Sequence, residues 1–99
     1  MPISYIKTAM IKQLEEIKKA IHLGEVESAI EELNVILKNT PSDEAYYLLG
    51  NAYRKLGNWQ EALNNYQEAI AINPESPAHA ARQMVLDILN FYNKDMFNQ

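Results

Sequence analysis

A chain of 99 residues, 47% apolar, with 3 glycines and 4 prolines, is sized for one small and mostly helical domain. Its core leaves little room for a deep catalytic pocket, and a net charge of −4 without a basic stripe argues against nucleic acid as partner. The absence of cysteine excludes disulfides, thiol catalysis and thiolate zinc sites.

The N-terminal residues Met1 to Lys7 lack a basic segment followed by an apolar run, so no secretory signal is expected. No apolar run approaches membrane-spanning length. A cytoplasmic protein with no membrane partner is the expectation.

The spacing predicts a first helix from about Ser4 to His22. Ile3, Ile6, Met10, Leu14, Ile17 and Ile21 recur at three and four and share one stripe. Gly24 supplies a left-handed stop. A second helix is predicted from about Val26 to Lys38, burying Val26, Ala29, Ile30, Leu33, Ile36 and Leu37. Thr40-Pro41 blocks its continuation, since a residue before proline avoids the helical region.

A third helix is predicted after Ser42, a good N-cap, with Asp43 and Glu44 in its first turn. Gly57-Asn58 ends it and opens a fourth, where Asn58 and Glu61 form a variant capping box. That helix should bury Trp59, Ala62, Leu63, Tyr66, Ala69 and Ile70, and Asn73-Pro74 closes it. Ser76-Pro77 starts a fifth helix, with Ser as cap and Pro at the first helical position. Ala78, Ala81, Val85, Ile88, Leu89, Tyr92 and Met96 fall on its stripe.

The third and fourth helices carry a specific pattern. Tyr46, Leu49, Gly50, Tyr53, Ala62, Tyr66 and Pro74 fill seven fixed-spacing slots: aromatic-x2-Leu-Gly-x2-Tyr, then Ala-x3-aromatic, then Pro. This stretch resembles one repeat of the tetratricopeptide repeat (TPR) family, with Tyr46 in place of the usual Trp and Tyr66 in place of the usual Phe. The preceding half looks like a degenerate copy. Gly24 and Gly57, Val26 and Trp59, Ala29 and Ala62, Leu33 and Tyr66, and Pro41 and Pro74 are each about 33 residues apart, one short of the family's roughly 34. Gln13, Glu16 and Ile17 depart from the signature, and loss of the small residue at Ile17 should push the first two helices apart locally.

The resemblance implies an all-α fold of five helices, antiparallel hairpins stacked as a short right-handed α-solenoid. It divides residues 1–99, as one domain, into a degenerate repeat at about 10–42, a matched repeat at 43–76 and a capping helix at about 77–95. It also implies non-catalytic binding of a protein or peptide on the concave surface, lined by the first helix of each repeat. There the third helix presents Glu44, Tyr47, Asn51 and Arg54. Tyr47, Asn51 and Arg54, spaced four and three apart, point the same way. An amide, a guanidinium and an aromatic ring suit a backbone, a carboxylate and a side chain respectively.

Some chaperone-binding members clamp a C-terminal carboxylate with Lys and Asn. Here Asn51, Lys18 and Arg82 lie on the right elements, but Leu14 and Leu48 occupy slots where that clamp wants polar groups. A free acidic terminus should therefore bind no better than its amidated form. The alternative is assembly, through self-association as a homodimer or docking into a complex. Met84, Phe91, Met96 and Phe97 give the fifth helix an apolar surface where a simple cap wants a polar one. His22 and His79 show no metal-ligand spacing, and no phosphate loop, nucleophile motif or catalytic carboxylate pair appears. Neither enzyme activity nor a cofactor is expected.

Overall fold

The computed structural model describes the backbone of residues 3–97 and the side chains of residues 7–92. Five helices follow in order, with no strand among the described residues: α1 Ile3–His22, α2 Val26–Asn39, α3 Asp43–Lys55, α4 Trp59–Ile72 and α5 Ala78–Phe97. Each packs on the next, and α1 also meets α3. The result is an elongated stack, 60 × 28 × 19 Å.

Local chemistry sets the boundaries. Gly24 and Gly57 both take positive φ, at 97° and 78°, and each follows its helix in the same motif. The N–H of Gly57 donates to the Arg54 carbonyl and that of Asn58 to Tyr53; Gly24 to Ile21 and Glu25 to Ala20 repeat the arrangement. These paired bonds satisfy the orphan carbonyls of each helix end. Ser42 Oγ accepts from the Ala45 N–H at 3.1 Å, capping α3. Ser76 Oγ accepts from Ala78 N–H at 3.1 Å, so α5 starts one residue after Pro77. The expected capping box at α4 is half formed. Asn58 Oδ1 accepts from Glu61 N–H at 3.3 Å, but the Asn58 N–H is already committed to Tyr53 and is not left for Glu61.

The core forms two clusters along the stack. Leu14, Ile17, Ile21, Val26, Ala29 and Leu33 join the α1–α2 pair to α3 through Ala45, Leu48, Leu49 and Ala52. Ala62, Tyr66 and Ala69 meet Ala78 and Val85 of α5. The other predicted core residues of α2 and α4 (Ile30, Ile36, Leu37; Trp59, Leu63, Ile70) are half-buried against these clusters. The predicted stripe of α5 is corrected at its end: Tyr92 is 74% exposed. α5 has 20 residues against 14 in α4, and outruns the helix that would cover it.

Each half joins its helices differently. At Gly50 a Cβ would collide with the Tyr66 ring, so the missing side chain is what lets that ring lie against α3. Thirty-three residues earlier the same two positions hold Ile17 and Leu33, both fully buried. Bulk moves from the second helix to the first.

Candidate peptide-binding face

The first helices of the two hairpins, α1 and α3, line one side of the stack. Two adjacent depressions run along it. The larger, about 840 Å³, lies toward the C-terminal ends of α1 and α3 and takes in Lys18, His22, Leu48, Asn51 and Arg54. The smaller, about 300 Å³, takes in Glu15, Lys18, Glu44, Tyr47 and Leu48. Glu15, Lys18 and Leu48 belong to both. The four predicted α3 residues are therefore brought to one surface but split between its depressions: Glu44 and Tyr47 in the smaller, Asn51 and Arg54 in the larger. Arg82, half-buried on α5, lines neither.

Two of these side chains are held in place from beneath. The Tyr66 hydroxyl donates to Asn51 Oδ1 at 2.5 Å, and the Tyr47 and Tyr66 rings sit 6.1 Å apart. Burial pushes the Tyr66 pKa up to about 12; Arg54 nearby opposes the shift and Tyr47 adds to it. The hydroxyl therefore stays protonated near neutral pH and keeps donating. With Oδ1 so engaged, Asn51 Nδ2 is the group left to donate toward the groove. The amide is oriented to meet a carbonyl or carboxylate rather than a peptide N–H.

Sequence reasoning missed several residues of the larger depression. Lys19, His22 and Lys55 line it too. Lys55 Nζ donates to the His22 carbonyl at 2.9 Å, tying the C-terminal ends of α1 and α3 together. His22 and Lys55 are 33 apart, so superposing the halves by that translation was the signal that could have found them. Among the described residues the one ion pair is Lys19 with Glu16, at 4.0 Å and mostly exposed. It neutralises little.

A third depression, about 790 Å³, lies where α5 passes the start of α4 and takes in Trp59, Met84, Asp87, Ile88, Phe91 and Tyr92. Met84 is 40% exposed and Phe91 68%. The side chains of Met96 and Phe97 lie outside the described residues. The location of this apolar surface differs from expectation. Shifted by 33, the α3 residues packed toward α4 (Tyr46, Gly50 and Tyr53) correspond to His79, Gln83 and Leu86. The end of the stack is thus mostly polar, as a cap requires. By the same shift Met84 matches Asn51 and Asp87 matches Arg54, so the apolar residues continue the groove side. Contact supports this: Arg54 Nη1 lies 3.9 Å from Met84 Sδ.

Among the described residues no group of three His, Cys, Asp or Glu could hold a metal ion, and no helix is long and apolar enough to cross a membrane. The tetratricopeptide repeat family matches residues 43–76. The chain is also similar to the Bacteroides fragilis protein BF1650, whose structure was determined by solution NMR. Identity is 63% over 88% of this chain and 90% of that one, with a TM-score of 0.79. No curated protein matches.

Proposed function

We propose that this chain, which carries a tetratricopeptide repeat at residues 43–76, is a non-catalytic module binding an extended segment of a partner protein across α1 and α3. One matched repeat at 43–76 is flanked by a diverged copy at about 10–42 and a closing helix at about 77–95. The observation that carries the reading is the pair of depressions meeting at Leu48, lined by Tyr47, Asn51 and Arg54 on one helix face. Replacing Asn51 and Arg54 together by Ala should abolish capture of the partner from host lysate while the helical circular dichroism persists. Capture that survives the double change removes the groove reading.

The exposed Met84, Phe91 and Tyr92 beside Trp59 favour a second reading, assembly through α5. In that case the chain self-associates, and Phe91→Ala weakens it. Sedimentation across a concentration series tests this, and a strict monomer at high concentration ends it.

A further inference from the structure

The groove side changes chemistry along its length. In the first depression Lys18, Lys19, Arg54 and Lys55 face one carboxylate, Glu15. With Lys19 paired to Glu16, a local excess of two positive charges remains, on a chain whose net charge is −4. Among the described residues Lys18, Arg54 and Lys55 meet no carboxylate, so their charge is available. Ile21 and Leu48 share the same hollow and give it an apolar floor. One repeat further on, the third depression is mostly apolar, with Trp59, Met84, Ile88 and Phe91 beside Gln83 and Asp87. The Arg54–Met84 contact joins the two.

Resting on the groove reading above, we infer that the partner is an extended segment carrying acidic side chains followed or preceded by a large apolar one. The carboxylates meet Lys18, Arg54 and the donating Asn51 amide. The apolar side chain lies against Met84, Ile88 and Phe91. Charge complementarity selects the first half, and apolar area the second. Packed helices lie about 10 Å apart and an extended chain advances about 3.3 Å per residue, so the two elements should stand about three residues apart. The acidic groups are side chains rather than a chain terminus.

The probe is a fluorescein-labelled serine–glycine decapeptide with both ends blocked, carrying two glutamates and a phenylalanine three residues beyond them. Fluorescence anisotropy at low salt gives its affinity, and amide shift perturbation in the 15N-labelled protein gives its place. Changing the glutamates to glutamine, or the phenylalanine to serine, should each weaken binding by about tenfold. Added salt should weaken the glutamate peptide and leave the glutamine one unchanged. The surface change K18E with K19E should reverse the charge preference, so that a lysine peptide binds better. Equal binding of glutamate and glutamine peptides, with shifts still on α1 and α3, overturns the inference and leaves the groove reading standing. Shifts confined to other surfaces overturn both. Failure of the glutamate peptide to bind at all also overturns the inference.

Discussion

Two glycines of the same repeat are constrained by different physics, and substitution separates them. Gly50 has ordinary helical backbone, but its missing Cβ is where the Tyr66 ring lies; that ring is fully buried and its hydroxyl is anchored on Asn51. Gly57 has open space around it but a φ of 78°. Gly50→Ala forces overpacking and should cost about 3 kcal/mol, whereas Gly57→Ala meets only left-handed strain, about 1 kcal/mol. Urea midpoints order the two, and a Gly57→Ala protein less stable than Gly50→Ala contradicts the packing account. Tyr66 adds a pH signature. Its folded pKa, about 12, lies above the ordinary 10.0, so above pH 10 the unfolded chain releases this proton before the folded one does. The contribution is therefore fully present below pH 10 and is lost as pH rises through about 12, on the order of 1.4 kcal/mol for each unit of difference. Stability curves of the natural protein and Tyr66→Phe should converge over that window; parallel curves there would show that the hydroxyl titrates normally.

At the scale of the helix pair, the two halves solve one packing problem with bulk on opposite sides: Ile17 with Leu33, and Gly50 with Tyr66. Ile17→Gly alone should leave a cavity costing about 2–5 kcal/mol, and Leu33→Tyr alone should overpack by about 1–3 kcal/mol. The double change rebuilds the α3–α4 arrangement in α1–α2, so its cost should fall at least about 1 kcal/mol below the sum of the singles. Additive losses in denaturant titrations would mean that the equivalence is one of sequence spacing alone. The elements themselves were legible because their signals are local. Gly24, Gly57, Ser42 and Ser76 act within a few residues through their own backbone or side-chain bonds. The reading weakened where a distant neighbour decides. Tyr92 fits the periodicity of α5, yet is exposed because α4 is too short to reach it. The Asn58 N–H is withheld from Glu61 by the end of α3, not by anything in α4. Of the groove, Tyr47, Asn51 and Arg54 were legible from spacing on one helix. Lys55 was not, since its position depends on the α1 terminus that it holds.

Across the whole molecule, packing follows chain order, so the stack behaves as coupled neighbours rather than as one closed core. α3 is covered on two sides, by α2 and α4, and has Ala45, Leu48, Leu49, Gly50 and Ala52 buried. α5 is attached to α4 chiefly through Ala78 and Val85. Val85→Asp places a charge where the side chain is 0% exposed, within an apolar cluster. The cost of an unpaired buried charge is several kcal/mol, and the chain relieves it most cheaply by releasing α5 from α4. Hydrogen exchange should then show α5 amides losing protection first and α4 amides in part, while α1, α2 and the α2-facing side of α3 keep theirs. Release of α5 also removes the apolar half of the groove, so a probe that binds through its acidic part alone should be unaffected while one that needs the phenylalanine contact is weakened. Uniform loss of protection from α1 to α5 would instead show that the five helices unfold as one unit, and the division of the groove into two independently supported halves would fall with it.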